Sequence, residues 1–379
     1  MFDSITSELT KKDPVSPRND KEKERISLDK IIFDYGYGLE VWKIIICTIL
    51  VYLMVGYSTT IFATLLTAYT TYFNLSDGEI SFLGCIFFIF RGVGALFVGY
   101  LTILFRNRLI LIYTCCSFFL ITTILLALTM NINILFVERI FSGIATGVLE
   151  ALVNNLLCEF LPVYLRGFTL LIVFTGYSLG QLFPNLIMLA TMPNYDPKGI
   201  PKTLFICSTM FIISIIVFLF ILEDSPRNYI LNGEDQKAFK ILEKMKEGEI
   251  FTEREKRSVI RGVKDGVNGE ASTVSLWEIF KPQYVTLTIY ISILALIVDL
   301  IFDGPVLIMT LTLSTLEKNK PAVRMLRDNI IVILFSLPSC LIGGILMEIK
   351  FLGRKKTIFI SFIGLGITTI FALIFREKM

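Results

Sequence analysis

The sequence predicts an all-α multi-pass membrane protein. Nine apolar stretches long enough to cross a bilayer, 54% hydrophobic residues and a mean hydropathy of +0.70 carry this reading. About 20 apolar residues in a helix span the ~30 Å hydrocarbon core. The stretches are 44–66, 80–104, 109–129, 134–157, 168–190, 203–222, 284–313, 330–348 and 356–375. Lipid offers the backbone no hydrogen-bond partner, so each stretch must satisfy its own N–H and C=O groups as a helix.

The first 43 residues are polar and mixed in charge, which fits a cytoplasmic tail rather than a cleavable signal peptide. Spans one to six make an N-terminal six-helix bundle over 44–222, and spans seven to nine a three-helix group over 284–379. Orientation follows from the loops. With the N-terminus inside, 26 of the 36 Lys and Arg face the cytosol and eight face out, while Arg91 and Arg139 lie within spans. Nine crossings then place the C-terminus on the opposite side.

The hydrophilic stretch 223–283 is a cytoplasmic linker with two helical candidates. Gln236 to Lys246 gathers Phe239, Leu242 and Met245 on one side amid lysines, which suits either a helix on the membrane surface or a solvated linker. Thr252 with Glu255 forms a capping box, as do Ser76 and Glu79 at the start of span two. Asn74-Leu75-Ser76 is a glycosylation sequon set close against the membrane.

Composition excludes other classes. A net charge of +3 gives no basis for nucleic-acid binding. All seven cysteines fall inside spans or, for Cys158, directly at the end of one, as small buried residues rather than disulfide partners. The chain has no histidine, so imidazole metal sites and relays are excluded. No nucleophile–base pair or metal-ligand spacing converges, so neither an enzyme nor a cofactor is expected.

Six spans, a long cytoplasmic loop and further spans suggest a transporter built of repeated three-helix units. Gly99 precedes Arg106 and Arg108 after span two, and Gly344 precedes Lys350, Arg354, Lys355 and Lys356 after span eight. A glycine at the helix end followed by a basic turn thus recurs at equivalent places. Four motifs carry a family resemblance. Arg139, Gly143, Gly147, Glu159, Pro162, Arg166 and Gly167 follow an R-x3-G-x3-G…E-x2-P-x3-R-G pattern. Glu223-Asp224-Ser225-Pro226-Arg227 resembles a P-E-S-P-R element, and Gly344 to Lys356 a G-x3-D-R-x-G-R-K element. Ile32 to Gly38 is similar to an I-G-x-G-x-F opening. Together, over about residues 30–379, they resemble the major facilitator superfamily, in the branch of sugar porters, organic-ion transporters and synaptic-vesicle-protein-like carriers.

That resemblance implies a small organic solute, an organic ion or a sugar, moved by alternating access. It also implies that Glu159, Arg166, Glu223 and Arg227 close the cytoplasmic side with Arg106, Arg108, Glu348 and Arg354. Charge-assisted hydrogen bonds at helix ends can form in one state and break in another. The same charges would also serve as plain positive-inside anchors.

Span four carries a polar stripe. Arg139, Gly143, Gly147, Glu150 and Asn154 fall within a sector of about 80° on a helix. Charges facing lipid would cost roughly 2.5–3.5 kcal/mol each, so the stripe faces protein or water. Either it lines a cavity, or its glycines pack while Glu150 joins the gate. Arg91 in span two and Asp299 in span seven lie at similar depth, and Asp303 precedes Gly304-Pro305, where the helix should break. Broken helices at mid-membrane are common substrate sites. The candidate substrate-binding set is therefore Arg91, Arg139, Asn154, Gln181, Asn185, Asp299 and Asp303, with Arg91 as counter-charge to the aspartates. For Gln181 and Asn185, polar packing between helices is the competing expectation.

Two departures from the family matter. In proton-coupled relatives a helix-one carboxylate partners the helix-four arginine. Here that region reads Gly56-Tyr57-Ser58-Thr59-Thr60, so proton coupling through that pair is expected only if Glu138 or Glu150 substitutes. The family also has twelve helices, and nine imply an incomplete C-terminal half. The alternative expectation is a transport-incompetent scaffold that kept the fold. Partners are the lipid bilayer and a small-molecule substrate, with a protein partner if the nine-helix chain is complete.

Overall fold

The computed structural model describes residues 28–105, 107–192, 196–245, 250–270, 280–294, 297, 322–349 and 351–375. These fall into two compact units, one from residues up to Tyr35 with Pro226–Thr273, the other from Gly36–Ser225 with Val274–Met379.

The larger unit contains α2 (Leu39–Phe73), α3 (Asp77–Phe105), α4 (Arg108–Thr129), α5 (Ile132–Phe160), α6 (Val163–Thr191), α7 (Ile200–Ile221), α11 (Val285–Leu294), α12 (Ala322–Glu348) and α13 (Gly353–Phe375). Six of the predicted spans correspond to α2–α7, and the last two to α12 and α13. The seventh, 284–313, is described only over α11, so Asp299, Asp303 and the expected break at Gly304-Pro305 lie outside the described residues. Several helices outrun their predicted spans. The 35 residues of α2 reach about 52 Å at 1.5 Å per residue, well beyond the hydrocarbon core. Nothing in Leu39–Phe73 breaks a helix, and the stop comes at Asn74, a left-handed cap with φ 52°. At the start of α3, Ser76 N–H donates to Glu79 Oε2 at 2.8 Å while Ser76 Oγ accepts from Glu79 N–H at 3.4 Å. The expected capping box forms. Asn107 and Asn131 cap α4 and α5 by accepting from Leu109 and Asn133 N–H.

Packing in this unit is set by backbone approach. α2 lies along α6 and also meets α5 and α7, α3 pairs with α5, and α12 rests on α6. A Cβ on Gly180 would stand 2.0 Å from the Leu53 carbonyl oxygen, and one on Gly147 2.1 Å from that of Arg91. Small residues at such seams let helices approach closely in lipid, where van der Waals contact and interhelical hydrogen bonds drive association. The core is aromatic. Phe119 and Phe211 lie 4.5 Å apart between centroids, with Tyr57 edge-on to Phe211 at 5.1 Å.

The smaller unit contains α1 (Leu28–Tyr35), α8 (Pro226–Leu231), α9 (Asp235–Met245) and α10 (Glu253–Glu270). The Thr252–Glu255 capping box forms at the start of α10, with Thr252 N–H to Glu255 Oε2 at 2.8 Å. For α9 the sequence left open a helix on the membrane surface or a solvated linker, and its apolar face is buried in protein. Ala238, Phe239, Ile241, Leu242 and Met245 are buried, and α9 packs on α8 and α1. Phe239 meets Phe251 at 5.6 Å between ring centroids. An apolar helix face can be covered by protein as well as by lipid, and here protein covers it.

Candidate functional site

Three polar clusters stand among the described residues of the larger unit. The first crosses α2, α3, α5 and α6. Arg91 on α3 donates to Glu150 Oε2 on α5 at 2.9 Å, and the two side chains keep 19% and 27% of their surface open. One turn along α5, Asn154 Oδ1 accepts from the Tyr52 phenol of α2 at 2.9 Å. The Tyr52 ring stands edge-on to Phe174 on α6 at 5.6 Å, and Phe174 stacks on Tyr177 at 5.2 Å with 6° between planes. Thr59 hydroxyl lies 3.1 Å from the Tyr177 phenol oxygen. Glu150, for which cavity lining and a place at the gate were both expected, is held here by Arg91.

The second cluster is sealed. Arg139 donates to its neighbour Glu138 through Nε at 2.8 Å and Nη2 at 3.2 Å, with both side chains at most 5% exposed. Its guanidinium sits between the Phe62 and Phe87 rings, 5.0 and 5.1 Å from their centroids. A cation flanked by aromatic faces and neutralised by a carboxylate tolerates burial. Arg139, expected in the substrate-binding set, is thus placed in packed interior. The polar stripe divides likewise. Gly143 and Gly147 abut the α3 backbone, and only Glu150 and Asn154 remain partly open. Gln181 and Asn185 are buried on α6, with Asn185 Nδ2 donating to the Gln181 carbonyl at 2.9 Å. They sit in packed interior rather than on an open wall.

The third cluster occupies helix ends. Arg108 donates to Glu159 Oε1 at 2.8 Å, and Ser225 hydroxyl donates to the other Glu159 oxygen. Asp224 Oδ1 accepts from Ser225 N–H at 2.8 Å. Arg166 donates to the Leu161 carbonyl at 3.0 Å, bracing the turn between α5 and α6. Arg354 lies over Gly167, its Nη2 3.1 Å from where a Cβ would stand, so the α12–α13 turn meets the start of α6. Glu348 is exposed, and its charge reaches the Tyr37 phenol. Glu223 is half-buried at the end of α7. Arg227, at the start of α8 in the smaller unit, pairs with Asp29 at 3.2 Å. Arg106 lies outside the described residues.

Sequence reasoning missed Tyr52 and Phe174, and it placed Ser225 and Tyr37 only inside motifs without giving them a partner. Each is an aromatic or hydroxyl residue whose partner is remote in sequence, so neither periodicity nor motif marks the contact. Thr169 donates to the Leu165 carbonyl at 2.9 Å, leaving its oxygen to accept from the Tyr37 phenol at 2.5 Å. Burial raises the Tyr37 pKa above its ordinary 10.0, outweighing the Thr169 hydrogen bond, which lowers it. A raised folded value means this stabilisation is whole below pH 10 and is lost as pH climbs through the folded pKa. Tyr37→Phe is expected to cost about 1 kcal/mol at neutral pH and to remove part of the alkaline loss, read by thermal unfolding in detergent at pH 7 and above 10.

Reversing Arg108 tests the third cluster. Cys158, half-buried beside Glu159, supplies the reporter. Arg108→Glu is expected to raise its labelling by an impermeant thiol reagent several-fold. Adding Glu159→Arg should bring labelling back.

Comparisons agree with this architecture. Residues 48–377 match the sequence model of the Major Facilitator Superfamily. No curated protein matches significantly. The proton:xylose symporter XylE bound to 6-bromo-6-deoxy-D-glucose has a similar fold, with TM-score 0.66 and 17% identity over 82% of this chain and 70% of that chain. XylE from E. coli in a partially occluded inward-open conformation gives TM-score 0.63 at 15% identity over 82% and 74%. Its inward-open conformation gives 0.59 at 16% over 79% and 66%. Helices long and apolar enough to cross a membrane, with family and fold in agreement, lead to one conclusion: the chain belongs to the Major Facilitator Superfamily and is a multi-pass membrane transporter of small solutes.

Proposed function

We propose that the chain moves a small organic solute by alternating access, with its N-terminus in the cytosol and the solute passing the wall formed by Arg91, Glu150, Asn154, Tyr52 and Phe174. The observation that supports this most is the Arg91–Glu150 pair. A charge pair within apolar helices, left partly open rather than sealed, is costly unless water or solute reaches it. The neighbouring Glu138–Arg139 pair shows the contrast, since it is closed on every side and suits a structural role.

The Arg108–Glu159–Ser225 cluster acts as a latch at the inner mouth. Charge-assisted hydrogen bonds hold the helix ends together in one state, and exchange for water in the other shifts the equilibrium by a few kcal/mol. The rest of the expected site, Asp299 and Asp303, would complete the wall from the second half.

Uptake of a panel of radiolabelled sugars, organic ions and amino acids into proteoliposomes tests the reading. At least one solute should accumulate in the wild type, with Arg91→Gln slowing it tenfold or more and Lys355→Gln leaving it unchanged. No uptake of anything by folded protein, or uptake indifferent to Arg91→Gln, would overturn it.

A further inference from the structure

We propose that the exposed face of α10 is a docking surface for anionic lipid headgroups, attaching the smaller unit to the bilayer. Arg254, Arg257, Arg261 and Lys264 are all exposed and recur at steps of three and four residues. At about 100° per residue they fall within a sector of about 80°. The opposite side of the helix carries Val259 and Val263, both buried. At 1.5 Å per residue the four cations make a stripe about 15 Å long.

This stripe stands apart from the unit's own ion pairs. Glu234 holds Lys237 at 2.7 Å, Glu253 holds Lys256 at 3.3 Å and Asp29 holds Arg227 at 3.2 Å. Among the described residues Arg257, Arg261 and Lys264 make no such pair. Like charges three or four positions apart on a helix repel one another. The stripe therefore works against the fold of its own helix, and a negatively charged surface laid along it relieves that repulsion.

A bilayer is the surface within reach. Residues 36–38 join α1 to α2 and residues 222–225 join α7 to α8, so short links tether the smaller unit to two helices able to span the membrane. A row of cations on an open helix face matches a sheet of headgroups, each cation near it strengthening attachment about fivefold. A small free anion needs convergent donors instead. The neighbouring groove between α9 and α10 mixes Lys240 and Lys256 with Asp235, Glu243 and Glu253, which suits no lone anion.

The test places a fluorophore at Gly262→Cys beside the stripe, where a Cβ meets nothing within 4 Å, in the full chain with its seven cysteines replaced by serine. The chain is reconstituted in nanodiscs containing a lipid with a nitroxide on its headgroup, in phosphatidylcholine alone or with phosphatidylserine added. Quenching should rise several-fold with phosphatidylserine and fall back in salt near 1 M, which screens charges beyond about 3 Å. Arg257→Gln, Arg261→Gln and Lys264→Gln together should abolish the rise. Arg257→Lys with Arg261→Lys should keep it, as should Lys237→Gln away from the stripe, which guards against mere misfolding. Equal quenching in both bilayers, a rise that survives salt or the triple variant, or its loss to inorganic phosphate at matched ionic strength would overturn the assignment. Both leaflets have the same composition, so the outcome depends neither on transport nor on the orientation of the chain.

Discussion

Glu138→Leu is expected to unfold the larger unit well below the parent's melting temperature. Its carboxylate is the partner the structure gives the Arg139 guanidinium, which is nearly inaccessible between Phe62 and Phe87. Removing one member of a buried pair leaves an uncompensated charge and costs about 3–5 kcal/mol. That corresponds to a fall of roughly 10 °C or more in Tm for a unit of this size. The double variant Glu138→Leu with Arg139→Met should recover most of the loss, because replacing a whole buried pair by apolar groups is often neutral. Thermal unfolding in detergent reads both. Full stability of the single variant would show that Arg139 has another counter-charge or reaches water.

Gly180→Leu should prevent assembly of the α2–α6 seam altogether. A Cβ there meets the Leu53 carbonyl oxygen at 2.0 Å, and the obstacle is backbone, which cannot rotate aside as a side chain would. The helices must separate, and the neighbouring Gly56 and Gly176 contacts separate with them. Overpacking costs 1–3 kcal/mol even where side chains can yield. Gly364→Ala on α13, where a Cβ meets nothing within 4 Å, is the control. Size-exclusion profiles should show Gly180→Leu aggregated and Gly364→Ala monodisperse.

How far these features could be read in advance depended on how local their causes are. Eight of the nine spans, and the Ser76–Glu79 and Thr252–Glu255 boxes, rest on residues a few positions apart, and among the described residues they formed as expected. The amphipathic face of α9 was equally visible, yet burial against lipid and burial against α8 and α1 require the same pattern. Position along α5 placed Arg139 and Glu150 on one stripe, but their opposite fates follow from distant residues. Phe62 and Phe87 seal one, while Arg91 holds the other, which stays partly open. The pairing of Arg227 with Asp29 spans 198 positions and leaves no trace in either motif.

The central claim is that water reaches the α5 wall from alternate sides of the membrane. The direct measurement is thiol labelling of Asn154→Cys in a chain whose seven cysteines are replaced by serine, with impermeant reagent added to one face at a time. The account predicts labelling from both faces, with added solute shifting the ratio. Labelling from neither face, together with reaction toward a lipid-soluble maleimide alone, would contradict it.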